Sequence, residues 1–567
     1  MTPDQAKAVL CAAGAPFEME TVTAHGRTFR AWKNAPAHLG VLAQIGRSHG
    51  AREFLIHEDE RVTYDGWFRA AAALAAHLSD LGVQPGDRVA LAMRNVPEWP
   101  VAFFAVTTLG AICVPLNAWW TGGELAYGLN TAGCRVVIAD GERLDRILPL
   151  RDGLPALEHV IGARLGARAG ADFEAVVALE SVIGRPQDYG ALPDRDLPVA
   201  DLDPDQAATI FYTSGTTGHP KGALGTHRNL VTNILSGAYV RASATLRSGD
   251  APPAPGPRTA LVSVPMFHVT ACSAVLMGSV FAGNTLVFMR RWDAGAALAL
   301  IERERINLAG GVPTIAWQLL EHPDREKYDL SSLESVSYGG APSAPDLVRK
   351  IAHVFGAVPG NGWGMTETMA TVTNIIGADY LARPDSCGTP VAVADLRVVD
   401  PDTLADLPTG AVGELWASGP MVVKAYWNNP DATAQTFVDG WVRTGDLARI
   451  DDEGYCYVVD RAKDMLIRGG ENIYSAEVEN ALYDHPAVID AAVIGIAHPT
   501  LGEEPAAVVH LAPGQAASEQ DLRDWVAARL AAFKVPVAIR FLPETLPRNA
   551  NGKILKRELK ALFGDGS

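Results

Sequence analysis

From Arg88 onward, short apolar runs alternate with longer helix-patterned segments, and this rhythm narrows the fold more than any other feature of the chain. Val89-Ala-Leu-Ala-Met93 leads into a helical pattern from Glu98 to Gly110, and Ala111-Ile-Cys-Val114 into one from Gly123 to Gly133, before Arg135-Val-Val-Ile-Ala139. The alternation returns at Ala208–Tyr212, Ala260–Val264, Thr285–Met289 and Ile306–Ala309, with a helix predicted over Asp293–Arg305. Strands apolar on both faces and separated by helices pack as parallel sheets with helices on both sides. The expectation is an α/β fold containing two helix-covered, mostly parallel sheets.

A chain of 567 residues exceeds what one hydrophobic core serves, so further units are expected. After Val412 the texture turns to short strands and turns, which reads as a β-rich subdomain. The charged stretch Asp460-Arg-Ala-Lys-Asp464 predicts a boundary, with a large N-terminal domain over 1–460 and a small, mobile α+β domain over 461–567. In the latter, a helix starts near Ala476, strands fall at Ala491–Ile494 and Ala506–Val509, and Ser518 with Asp521 opens another helix. The stretches 162–204 and 248–258 read as surface loops.

A formal net charge of -17, with no polybasic run, excludes nucleic acid as a partner. Any nucleotide must then be met by local groups: backbone N–H, a few Lys or Arg, and a divalent cation. The six cysteines show neither a C-x-x-C pair nor framework spacing, so reduced thiols and a cytoplasmic location are expected. The start of the chain lacks the pattern of a secretory signal. The apolar stretch 101–120 is broken by Gly110, Pro115 and Asn117, which makes it core and not a membrane span. Peripheral membrane contact stays open, as does the choice between monomer and homodimer.

Tyr212-Thr-Ser-Gly-Thr-Thr-Gly-His-Pro-Lys-Gly222 follows an apolar strand and carries four aliphatic hydroxyls, three glycines and one lysine. Glycines let the backbone approach anionic oxygens, hydroxyls donate, and Lys221 adds a compact positive charge, so the loop suits phosphates. It departs from G-x-x-x-x-G-K-[ST], and Tyr212 stands where a nucleophile elbow needs glycine.

This string resembles the phosphate loop of the adenylate-forming superfamily of acyl-CoA synthetases, luciferases and peptide-synthetase adenylation domains. The resemblance extends in order through Pro265–His268, Tyr338–Pro342, Asn361–Glu367, Gly413-Glu-Leu, Trp441–Asp446, Asp460–Lys463, Gly469–Asn472 and Asn551–Lys553. It implies that Thr213, Ser214, Gly215, Thr216, Thr217, Gly218 and Lys221 hold the phosphates of ATP, that Thr366 meets the α-phosphate, and that Glu367, with Thr217, ligates Mg²⁺. Gly339, Gly340, Ala341 and Pro342 match the edge against which adenine lies, within a site that also includes Asn361, Gly362, Trp363, Gly364 and Met365. Many relatives carry tyrosine where Trp363 stands; tryptophan keeps the stacking surface without the hydroxyl. Asp446 matches the carboxylate that accepts the ribose hydroxyls, and Arg461 a second ribose and phosphate contact.

By the same resemblance, Lys553 bridges the substrate carboxylate and the α-phosphate during adenylation, and His268 orients the carboxylate. A hinge is implied at Lys463, turning the small domain so that coenzyme A meets Gly469, Gly470, Phe533 and Lys534 in a second pose. Two further basic positions of that surface are Val535 and Val537 here. The implied activity is ATP-dependent formation of an acyl-adenylate with release of pyrophosphate, then transfer of the acyl group to coenzyme A.

Substrate choice falls to the tail pocket, for which Val269, Thr270, Ala271, Cys272, Ser273, Val312, Pro313, Trp317, Ser337 and Met369 are nominated. These are small or apolar, so a medium- or long-chain fatty acid leads and an aryl or cinnamic-type acid comes second. No aspartate follows His268 closely, which disfavours an amino acid. A ligase that loads a carrier protein, and a non-catalytic nucleotide or acyl sensor, are the rival readings. The sensor requires degraded catalytic positions, and Thr366, Glu367, Asp446, Arg461 and Lys553 are intact.

Overall fold

The computed structural model describes residues 1–168, 176–198, 201–213, 219–249, 251, 256–340, 345–469, 471–549 and 552–564. Its first large sheet runs, in spatial order, through Ala425–Tyr426, Gly222–Thr226, Ala207–Tyr212, Ile112–Pro115, Arg88–Ala92, Val136–Asp140, His159–Ala163 and Val177–Ala178. All pairings from Ala207–Tyr212 to Val177–Ala178 are parallel, and the first two strands run antiparallel at one edge. The second sheet orders Thr389–Pro390, Thr373–Ile376, Val358–Trp363, Ser335–Gly339, Leu308–Gly311, Thr259–Val262, Thr285–Phe288, Glu53–His57 and Glu60–Thr63. The predicted alternation is thus realised as two sheets of mixed but mainly parallel pairing.

Between the sheets lies a helical layer. The helix Glu98–Thr108 is buried along its whole length, which is why its sequence shows no polar face. Trp67, on the helix Tyr64–Asp80, joins the halves: it is 0% exposed, with ring centroids 5.2 Å from Phe54 and 5.0 Å from Phe104.

A third sheet of Asp395–Val399, Gly413–Ser418, Trp441–Ile450, Phe437–Val438 and Cys456–Arg461 forms the β-rich unit expected after Val412. The C-terminal unit is α+β: the long hairpin Val488–His498 and Gly502–Leu511, flanked by Leu466–Arg468, Glu471–Ile473 and Ala538–Phe541, packs against the helices Ser475–Tyr483 and Glu519–Ala527. Ser518 caps the latter through the predicted box with Asp521.

One reading needs correction. The stretch 162–204 is not simply a surface loop, because Leu179, Ile183, Tyr189 and Leu197 bury their side chains in the main core. The helix His227–Ser248 continues almost to the second expected loop, and nothing in the apolar rhythm announced it. Its mixed composition hides a capping box of Thr226 with Asn229. All six cysteines are free, and all but Cys11 are buried. Among the described residues, no helix is long and apolar enough to cross a membrane.

Trp67 leaves its indole nitrogen unpartnered, so truncation removes packing alone. Trp67→Ala is expected to lower the unfolding free energy by about 3–5 kcal/mol, read by chemical denaturation.

Candidate active site

The catalytic ends of both sheets converge on one cleft of about 2760 Å³, and most of the expected residues line it. The phosphate loop is the hairpin turn between Ala207–Tyr212 and Gly222–Thr226. Its base is closed by Thr213 N–H donating to the Lys221 carbonyl at 2.9 Å and Lys221 N–H donating to the Thr213 hydroxyl at 3.2 Å. Ser214, Gly215, Thr216, Thr217 and Gly218 lie outside the described residues, as do Ala341, Pro342, Gly470 and Asn551.

Thr366 and Glu367 occupy a short 3₁₀ turn held in an uncommon backbone path. Met369 has φ 45° and Ala370 φ 97°, both in the left-handed half of the map, which costs free energy unless the surroundings compel it. Gly364 is compelled too, since a β-carbon there would lie 1.4 Å from the Ala370 carbonyl oxygen. What locks the turn is Asn233, a buried residue of the long helix. Its amide donates to the Met369 carbonyl at 2.7 Å and to the Ser273 hydroxyl at 2.9 Å, and its oxygen accepts the Thr371 N–H at 3.1 Å. The buried Glu367 carboxylate accepts from the Tyr426 hydroxyl at 2.5 Å, and Lys221 sits 5.0 Å over that tyrosine ring. Burial and the Glu367 charge push the Tyr426 phenol well up, so it stays a donor.

The ribose candidate is equally fixed. Asp446 and Arg461 are direct cross-strand partners, and the guanidinium Nε stands 2.7 Å from Oδ1. The other carboxylate oxygen accepts from the Trp363 indole N–H at 2.9 Å. Tryptophan therefore does more than stack: it takes a polar role that the lost tyrosine hydroxyl left open. Thr444 shapes the approach by donating to the Leu415 carbonyl at 2.6 Å and accepting the Asp446 N–H at 3.0 Å. Asn361, Gly362, Met365, Gly339 and Gly340 line the same wall.

Lys553 reaches this cleft from the C-terminal unit on a tight hairpin. Asn549 closes it, accepting the Gly552 N–H on its carbonyl at 2.9 Å and the Lys553 N–H on its side chain at 3.0 Å, while Arg548 anchors to Asp490 at 2.7 Å. Gly552 has φ 76°, and a β-carbon on it would lie 2.8 Å from Val312. Burial, and then the nearby Arg461, lower the Lys553 pKa to about 8 against the pull of Asp446 and Glu367. Across the hinge, Asp460 accepts from the backbone N–H and the hydroxyl of Ser475, and burial raises its pKa to about 6. Lys556 completes this junction, donating to the Ser475 hydroxyl and pairing with Glu479, both at 2.7 Å. Lys463 stands in the exposed turn that follows.

His268 accepts the Thr270 N–H on Nδ1 at 3.3 Å, which leaves the proton of the neutral ring on Nε2 as a donor. Burial and the Lys553 charge lower its pKa to about 4, so it is neutral at physiological pH. Directly after it, Thr270–Leu276 forms a π-helical segment, a wider turn that sequence periodicity does not reveal.

The tail pocket lies between this segment, the long helix and one face of the second sheet. Val269, Thr270, Ala271, Val312, Pro313, Trp317 and Ser337 line it as expected. Cys272, Ser273 and Met369 do not: they are absent from the cavity wall and back it from within the fold. The floor is neither bulky nor wholly apolar, because register puts Gly310 beside Ser337 on it, with the buried Gly360 next to Ser337 on the same face. Gly469, Phe533 and Lys534 are not brought to the cleft; Lys534 pairs with Glu477 at 2.6 Å. Tyr426 and Asn233 are the positions whose importance sequence reasoning missed, since their partners lie far away in the chain.

Once this geometry is set out, comparison with known proteins is direct. A family model described as AMP-binding enzyme matches residues 42–427, and one described as AMP-binding enzyme C-terminal domain matches 477–553. A feruloyl-CoA synthase from an Amycolatopsis species is 37% identical over 513 residues, covering 90% of this chain and 95% of that protein. A long-chain-fatty-acid–CoA ligase of Mycobacterium tuberculosis is 34% identical over 505 residues, covering 89% and 94%. The crystal structure of an anthranilate CoA ligase in complex with anthranoyl-AMP superposes with a TM-score of 0.82 at 27% identity, covering 92% and 96%.

Asn233→Ala should orphan three buried polar groups and cost about 1–3 kcal/mol for each one left without a partner, measured by chemical denaturation. A loss below about 1 kcal/mol in total would remove Asn233 from this role.

Proposed function

The chain belongs to the AMP-binding enzyme family, and on that premise we propose that it is an AMP-forming acid–thiol ligase that joins an aryl or cinnamic-type acid to coenzyme A. The observation that carries the reading is the delivery of Lys553 from the C-terminal unit into a cleft that already holds His268, Thr366, Glu367, Asp446 and Arg461.

In the first step a carboxylate oxygen of the acid attacks the α-phosphorus of ATP, and the bond to pyrophosphate breaks. Both reactants are anions, so the Lys553 ammonium between them offsets their repulsion most where charge concentrates. Neutral His268 donates through Nε2 to the carboxylate, and Asp446, held by Trp363 and Arg461, accepts the ribose hydroxyls. The described residues contain no group of three or more His, Cys, Asp or Glu able to cage a metal. With the Tyr426 hydroxyl on its Oε1, the Glu367 carboxylate would hold Mg²⁺ through its other oxygen, together with Thr217 and the polyphosphate, and the ion would supply charge neutralisation. In the second step the thiol sulfur of coenzyme A, losing its proton, bonds to the acyl carbon as AMP leaves. Entry of the thiol requires Lys553 to withdraw, which a turn of residues 461–567 about Lys463 accomplishes by breaking the Asp460–Ser475 contacts. The turned pose would bring Gly469, Gly470, Phe533 and Lys534 to the thiol.

The preference for an aryl acid over the fatty acid favoured by sequence alone rests on the pocket floor. Gly310 and Ser337 keep it flat, and Gly360 behind them leaves room for the Ser337 hydroxyl, since a β-carbon there would stand 2.4 Å from it. A flat slot with hydroxyl lining suits a planar, polar-substituted ring better than a methylene chain. The feruloyl and anthranilate relatives point the same way, while the long-chain relative keeps fatty acids as the second reading.

Pyrophosphate exchange into ATP, screened over cinnamic, benzoic and fatty acids, should be strongest with an aryl acid, and AMP should then form in step with a thioester on addition of coenzyme A. Exchange with fatty acids alone would overturn the substrate class, and exchange with no acid would overturn the activity. The pH dependence carries a sign. Because the cationic form of Lys553 is required, kcat/KM for the acid should fall as pH rises through about 8, well below the free-lysine range.

A further inference from the structure

The tail end of the cleft holds a charge that the two-step chemistry leaves unused. The long helix His227–Ser248 roofs the tail pocket, with Asn233 tied to the catalytic turn and Gly237 one turn further on. Helical side chains lean toward the N-terminus of their helix, and Arg241 does so. Its Nη1 lies 3.9 Å from where a β-carbon on Gly237 would stand, so the guanidinium uses the space that glycine leaves. This places it roughly one helical turn, about 5 Å, from Asn233 along the helix.

Arg241 lines the cleft with its side chain exposed there, and among the described residues its guanidinium makes no ion pair and no hydrogen bond. The other two arginines in this part of the cleft are occupied: Arg247 pairs with Asp379 at 2.5 Å, and Arg258 with Glu334 at 2.6 Å. Surrounding protein atoms and the Arg258 charge disfavour its cation, which lowers the Arg241 pKa. A charged fork kept close to other cations without a counter-ion gains most from a planar anion.

We propose that Arg241 receives a second anionic oxygen pair, a carboxylate, at the end of the substrate remote from the activated carboxylate. The preferred substrates would then be diacids, with an aryl diacid best fitted to the flat floor. The inference rests on the ligase reading for its activity test but not for its binding test.

The activity test compares matched pairs that differ only in the distal group, 4-carboxycinnamate against 4-methylcinnamate and octanedioate against octanoate, by pyrophosphate release. The diacid should have the higher kcat/KM in at least one pair. Arg241→Gln should reduce that diacid-to-monoacid ratio at least tenfold, and Arg241→Lys, which keeps the charge but not the fork, should restore part of it. Calorimetric titration of the full chain with the same pairs reads the contact without turnover. A panel inert in turnover but showing Arg241-dependent binding of a diacid would sink the ligase reading and keep this one. Monoacids preferred in both pairs, or ratios and affinities unmoved by Arg241→Gln, would overturn the proposal.

Discussion

Two anions cannot react in a low-dielectric cleft unless a cation stands between them, and here that cation arrives from another part of the molecule. The ammonium of Lys553 lies in the field of Arg461, Asp446 and Glu367, and burial is the main cause that lowers its pKa. Much of the surrounding structure is organised around this placement. The hairpin carrying it is closed by Asn549 and anchored through Arg548 to Asp490, so the side chain is delivered on a stiff support. Asp460 and Ser475 fasten the C-terminal unit to the strand Cys456–Arg461 in the arrangement that brings the lysine into the cleft. Gly552 approaches Val312 closely, so the same loop helps to close the acid's pocket.

A mobile cation is useful only if its targets stay still. Asp446 is held from both sides by Trp363 and Arg461, and Glu367 by the Tyr426 hydroxyl. The turn bearing Thr366 and Glu367 pays in backbone strain at Met369 and Ala370, and Asn233 with Gly364 makes that path the only one available. On the proposed mechanism, these fixed acceptors meeting a movable donor would let one cleft run two reactions in sequence.

Much of this was legible in the chain. The βαβ rhythm anticipated both sheets, and ordered short motifs anticipated Lys221, Thr366, Glu367, Asp446 and Lys553, because phosphate chemistry demands particular residues at particular turns. The long helix with Asn233 and Arg241 was not legible, since its apolar face is narrow and its partners at Met369 and Ser273 lie far along the chain. Tyr426 escaped notice because its partner Glu367 lies in a 3₁₀ turn far earlier in the chain. Cys272 and Met369 were misplaced as pocket lining because the π-helical segment and the left-handed turn rotate them into the core, and no local periodicity encodes either. Trp363 was read as a stacking surface, whereas its indole nitrogen also donates to the Asp446 carboxylate.

The central claim is that Lys553 serves one half of the chemistry and must leave for the other. The direct measurement is to assay the two halves separately in Lys553→Ala: formation of the acyl-adenylate from acid and ATP, and formation of the thioester from supplied acyl-adenylate and coenzyme A. The account predicts a loss of roughly a hundredfold or more in the first, with the second retained within about threefold. Equal losses in both halves would contradict it.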